Sequence, residues 1–314
     1  MSQTADAPLA PLITVAAPLS RGNWPRIRTP QDWRGVLKPG ALLWLRAPLW
    51  AVTLVAALIL QGFPRKFLAH WAGLPTEGPL NMITLGVGVA ALLAVYALAV
   101  RFGEQRPADE LSLRRLPLEV ATGLAVAALL FSLVMAVLIG TGCYNFHADA
   151  AAGAPWTAIK YAVGPGVIEE LLFRGILMRL IWESFGLLPA LVVSSAAFGL
   201  AHIFNPNANF VSALAITAEA GLLLGALYAL SGRLWLSIGA HAGWNFTQGY
   251  IFGAAVSGTD TGGHLFHAVA VPGISDLLTG GSFGPEASIP GALVATAAGA
   301  ALLCFVWRRH QHAK

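Results

Sequence analysis

The feature that most limits what this chain can fold into is a series of apolar runs, each about 17 to 23 residues long, separated by polar connections. An α-helix rises about 1.5 Å per residue, so roughly 20 apolar residues cross the hydrocarbon layer of a bilayer. Eight such runs are present, at about 47–63, 80–100, 117–140, 157–180, 188–204, 209–230, 234–256 and 290–307. In lipid every backbone polar group must find its partner within the protein, which runs of this length achieve as helices. The expected fold class is all-α: a polytopic membrane helix bundle of about eight transmembrane helices, forming one domain over 41–314. Only 11% of the residues are charged, where soluble domains carry about 25%. The net charge of +4 is small and spread over several connections, so nucleic acid is not expected as a partner.

Lysine and arginine set the orientation. Arg21, Arg26, Arg28, Arg34, Lys38 and Arg46 precede the first run, and Arg101, Arg106, Arg114 and Arg115 follow the second. Arg179 closes the fourth, Arg233 separates the sixth from the seventh, and Arg308, Arg309 and Lys314 end the chain. The alternate connections are nearly bare, with Arg65 and Lys66 as the exception. Both termini are therefore expected in the cytoplasm, and the Ala-, Gly- and Leu-rich composition suggests a bacterial plasma membrane. Residues 1–40 open on an Ala-, Pro- and Ser-rich stretch with no basic residue ahead of its apolar patch. They are expected to form a disordered cytoplasmic tail rather than a signal peptide. Cys143 and Cys304 fall near opposite membrane faces and are read as small hydrophobes, not as a disulfide.

Ionised groups inside a bilayer are costly, roughly 2.5–3.5 kcal/mol each at a helix centre on insertion scales, and so mark function. The fourth run carries "GPGVIEELLFRG", with Glu169 and Glu170 near its middle. Glu170 and Arg174 are four residues apart and share a helix face, so they can pair. Glu169 lies about 100° round the helix and is left for other work. Pro165, between two glycines, can kink the helix and open a cavity beside it. The fifth run ends on His202, four residues after Phe198, and the seventh holds His241 and Asn245, again four apart. A carboxylate pair, an arginine, two imidazoles and an amide are the inventory of water-activated hydrolysis: a base, a proton carrier and oxyanion donors. The same groups also suit a structural salt bridge with interhelical polar bonds. His264 and His267, spaced HxxH in the long Gly-rich connection 257–289, are read as surface residues, and that connection as a cap on the outer face. There is no P-loop, no GxSxG and no HExxH.

"EELLFRG" (169–175), "FGLAH" (198–202) and "HAGWN" (241–245), in this order on three separate helices, resemble the motifs of the CPBP intramembrane proteases. That family includes the type II CAAX prenyl endopeptidases and bacteriocin-immunity proteins. The resemblance covers about 155–256, the expected catalytic core, and "GSFGPEAS" (281–288) resembles the C-terminal region of bacterial members. It implies an eight-helix peptidase acting on a membrane-embedded or lipid-tailed peptide. Glu169 would activate water with His202, His241 and Asn245 would stabilise the transition state, and Glu170 and Arg174 would support the first helix. It leaves two options for cofactors: Zn2+ held by Glu169, His202 and His241, or no metal at all. A non-catalytic scaffold or immunity protein on the same fold, and a proton-coupled transporter, are the competing functions. Straight helices would place His202 near the outer end of its span and His241 near the cytoplasmic end of its own, so convergence requires tilts, kinks or unequal depths.

Overall fold

The computed structural model describes residues 28–62, 71, 73, 78–148 and 153–311. The helices follow the apolar runs. They are α1 (Leu43–Leu60), α2 (Asn81–Gly103), α3 (Leu116–Gly140), α4 (Trp156–Glu170) and α5 (Arg179–Phe185), with a π-helical stretch, Leu171–Met178, joining the last two. After these come α6 (Leu187–Ala201), α7 (Phe210–Ile216) and α8 (Leu222–Ser231), the last two joined by a π-turn at Thr217–Gly221. Helix α9 (Leu234–Phe246) runs into a third π-turn, Thr247–Ile251; α10 (Asp276–Thr279) and α11 (Ile289–Gln311) complete the set.

Among the described residues, six helical stretches are long and apolar enough to cross a membrane: 43–60, 81–103, 109–140, 187–204, 210–231 and 289–308. The other two expected spans are helical but fall short. The fourth carries Lys160, Glu169, Glu170, Arg174 and Arg179, and α9 has only 13 residues before its π-turn. Large apolar side chains such as Leu49, Val52, Ile83, Leu129 and Leu293 lie exposed along the six, as lipid-facing helices require.

Two expectations need correction. The bundle is not purely α-helical: Tyr144–Ala148 (β1) and Phe266–Ala270 (β2) pair antiparallel, with His147 opposite His267. Phe146 stacks on Phe252 and Phe266, which gives this small ribbon an apolar face against the bundle. Residues 1–27, together with Arg65 and Lys66, lie outside the described residues. The remainder of the expected tail, 28–40, is folded. Two 3-10 turns, Pro30–Asp32 and Gly35–Leu37, bury Trp33 and Leu37 in the same apolar core as Leu54 and Tyr96.

Two features position the site. Helices α3 and α9 touch backbone to backbone: a Cβ at Gly123 would strike α9 at Leu236, Gly239 and Ala240, and one at Gly243 would strike Leu124. Small residues permit this approach. Helix α9 also starts deep within the bundle. Its first residue, Leu234, packs on Gly175, ten residues or about 15 Å inside the end of α5 at Phe185. Arg233 can be recessed because Glu119 of α3 pairs with it, and Trp235 Nε1 donates to the carbonyl of Ser112 at 3.0 Å.

One end of the bundle is closed by a buried ionic belt. Arg179 donates to Glu104 at 2.7 and 3.1 Å, and Arg106 to Glu104 at 2.7 Å and to Glu110 at 2.8 Å. Tyr96 donates to Glu110 and to the carbonyl of Gly175, Trp50 to Glu104, and Trp33 to Glu183 at 2.7 Å. Burial alone would raise the Glu104 carboxyl, but Arg179 and Arg106 outweigh it and hold the group below its ordinary range.

Candidate active site

The recessed start of α9 brings the three motifs together. From the Gly175–Leu234 contact the chain runs six residues back to Glu169 and, on α9, seven forward to His241. The two side chains thus reach one level, which resolves the mismatch that straight helices of equal depth would create. Helix α6 ends at Ala201, and the chain tightens into a 3-10 turn that begins at His202.

Glu169 Oε2 stands 3.8 Å from His202 Nε2 and 3.9 Å from His241 Nε2. That oxygen is buried and makes no hydrogen bond, while the side chain as a whole is half-buried. Both gaps are too long for a direct bond and suit one bridging water. The other ring nitrogens are committed. His202 Nδ1 lies 2.8 Å from the carbonyl of Phe198, which can only accept, so the proton is on Nδ1. His241 Nδ1 faces Glu170 Oε1 at 3.0 Å and donates to it. Each Nε2 is thereby turned toward Glu169, as happens when a second partner fixes an imidazole's tautomer.

Glu170 and Arg174, both fully buried, pair at 2.9 Å as their spacing predicted. Arg174 Nη2 also donates to the carbonyls of Ala220 and Gly221 at 3.0 and 3.1 Å. Those carbonyls belong to the π-turn 217–221, whose geometry frees them from the helical ladder. Phe198 is the hub: the Arg174 guanidinium lies 4.5 Å from its ring centre, His202 is tilted against it at 4.7 Å, and His241 meets it edge-on at 5.9 Å. A cation over an aromatic face is held by the ring quadrupole, so one side chain braces all three groups. Asn245 lies one turn beyond His241 and lines the cavity that both imidazoles face.

Glu169, His202 and His241 are the donor types of a His2Glu zinc centre. Zinc ligands at 2.0–2.1 Å stand roughly 3.4 Å from one another in a tetrahedron, closer than the spacings above. Among the described residues no three His, Cys, Asp or Glu side chains are grouped closely enough to hold a metal ion. The set as placed fits a water better than it fits zinc.

Two carboxylates that line the cavity were not singled out from sequence. Glu219 is buried in the π-turn 217–221, and Glu286 lies in a 3-10 turn at Pro285–Ala287. Glu219 was open to the rule that exposes Glu169 and Glu170, since an acid within an apolar run is costly wherever it falls. Glu286 gave no such signal, being in a connection; it lies in "GSFGPEAS", whose resemblance marked the stretch but not the carboxylate. Burial pushes its carboxyl up to about 7, against hydrogen bonds from Ser257 that pull the other way. His264, just before β2, and His267, within it, do not line the cavity, and their rings lie 4.9 Å apart.

Fold and site together define a class: a membrane helix bundle with a carboxylate and two imidazoles gathered inside it. Residues 150–247 match the family model described as type II CAAX prenyl endopeptidase Rce1-like, a family of proteases. The match takes in all three motifs and every site residue expected from them, so the resemblance holds for the helices that build the site. No curated protein and no solved structure matches the chain.

Proposed function

We propose that this chain is an intramembrane endopeptidase that hydrolyses a peptide bond in a membrane-embedded or lipid-tailed substrate. The observation that carries this reading is the unpartnered Glu169 carboxylate, aimed between two imidazoles whose tautomers are fixed. Glu169 draws a proton from a water lying between itself and the two Nε2 atoms, and the resulting hydroxide attacks the scissile carbonyl. His241 and Asn245 donate to the oxyanion that develops. For His241 to donate there, its Nε2 must carry a proton, a state that Glu170 stabilises through Nδ1. His202 holds the water, and Glu169 returns its proton to the leaving nitrogen. Glu170 and Arg174 position His241 without touching the substrate.

The cavity beside the imidazoles has apolar walls, among them Phe198, Leu223 and Leu224, which suits a reaction shielded from bulk water, with the substrate reaching Glu169 from the bilayer. A zinc ion held by Glu169, His202 and His241 would supply Lewis-acid polarisation at the same place. The chain, purified and reconstituted in liposomes, is expected to cut a membrane-anchored peptide, with the cut located by mass spectrometry. Chelation followed by zinc add-back tests the metal: activity that survives chelation supports the metal-free route. Proton-coupled flux without cleavage would replace the assignment by a transporter. Absence of both, with biological activity retained when Glu169 and His202 are alanine, would replace it by a scaffold.

A further inference from the structure

The cavity beside the imidazoles extends to a second pair of acids. It has about 30 Å³ of water-accessible room, enough for roughly one or two waters and too little for a side chain. His202, His241, Asn245, Glu219, Glu286 and Trp244 all line it, together with apolar groups such as Ala127, Ile216 and Leu224. Glu219 Oε2 is buried there without a hydrogen-bond partner. Glu286 is held in place: Ser257 donates to its Oε1 from both backbone (2.6 Å) and hydroxyl (2.9 Å). Ser257 does so from a left-handed conformation, φ +47°, that L-residues adopt only at a cost.

No lysine or arginine lines this space. Arg174, which reaches the carbonyls of Ala220 and Gly221 next to Glu219, is already paired with Glu170. The other titratable neighbour of Glu286 is Tyr144 on β1, whose hydroxyl donates to the carbonyl of Thr279 at 2.8 Å. Two carboxylates in one desolvated space with no cation cannot both ionise cheaply. We propose that Glu219 and Glu286 act as one carboxyl pair that holds a single proton in common, through water, and exchanges it with the imidazoles during hydrolysis. Glu169 returns the water's proton to the leaving nitrogen. The pair then gives a proton through His202 and His241 as the freed amine takes a second one, and regains a proton from the newly formed carboxylic acid, so no net proton is gained or lost.

The shared proton stands on the cavity alone; its use in turnover rests on the peptidase reading. Infrared spectroscopy of the full chain in lipid nanodiscs, titrated in H2O and D2O, tests the first. A protonated carboxyl band is expected at pH 7, in the intact protein and in Glu169→Gln alike. Glu219→Gln and Glu286→Gln should each shift the midpoint of the remaining acid by about a pH unit or more. No such band in the intact protein, or a midpoint that neither substitution moves, overturns the pair, and the intact protein decides even if a variant misfolds. The pH profile of cleavage tests the second. Either substitution should displace the alkaline limb of kcat with KM little changed, whereas superimposable profiles overturn the exchange. Failure of the intact protein to cleave any peptide would sink the peptidase reading and leave the infrared result standing.

Discussion

Two buried clusters of charge share one helical stretch, α4 and α5 with their π-helical junction, which gives Arg179 and Glu183 to one and Glu169, Glu170 and Arg174 to the other, and they are built to opposite rules. In the belt, Glu104, Arg106, Glu110, Arg179 and Glu183 are all nearly fully buried, and each makes hydrogen bonds to oppositely charged or neutral partners. None of their side-chain atoms is orphaned. At the site and its adjoining cavity, Glu169 Oε2, Glu170 Oε2, Arg174 Nε and Glu219 Oε2 are buried without a partner. An unmet polar atom in a low-dielectric interior costs about 1–3 kcal/mol. The belt avoids that cost and holds 28–40, α2 and α5 together. The cavity bears it where a water or a substrate would supply the missing bonds.

That contrast can be broken by substitution. His202→Ala is expected to lower the cleavage rate by roughly 10²–10⁴-fold, with the thermal midpoint nearly unchanged; a large loss of stability would mean that the imidazole serves the fold. Arg179→Met should do the reverse. It strands Glu104 and Glu183 and is expected to cost about 3–5 kcal/mol, while the folded fraction cleaves normally; denaturation in detergent and rates per folded molecule check this. Glu286→Gln sharpens the picture through pH. With its carboxyl lifted from 4.5 to about 7, the native state binds that proton more tightly than the unfolded chain does. Its stabilising contribution is complete below about pH 4.5, declines as pH rises, and is gone above about 7, a difference of up to about 3 kcal/mol. The variant should lose this slope, visible in melting curves taken across that range. The smallest effect is expected at the half-exposed Arg28–Asp109 pair: Arg28→Ala should move stability by less than about 1 kcal/mol.

The helices were legible because a bilayer demands long apolar runs, and their ends fall within about five residues of those runs except in the seventh, where α9 stops at Phe246. The Glu170–Arg174 pair and the Phe198–His202 contact were legible because they depend only on helical spacing. Convergence of Glu169 with the two imidazoles was not, because it depends on the depth at which α9 begins. That depth is set by Arg233 against Glu119, across 114 residues, a long-range pairing that periodicity does not reveal. The ribbon of β1 and β2 escaped for the same reason: five-residue strands joined across the whole core have no local signature stronger than a loop's. Glu286 was hidden in a connection, and its burial comes from the turn that seats it under Ser257.

The central claim is that Glu169, left unbonded between two fixed imidazoles, is the base. The most direct test is Glu169→Gln, which keeps size and shape and removes only the capacity to accept a proton, assayed against a membrane-anchored peptide together with its melting curve. Loss of cleavage with an unchanged midpoint is the predicted result. Cleavage at the unsubstituted rate would contradict the claim.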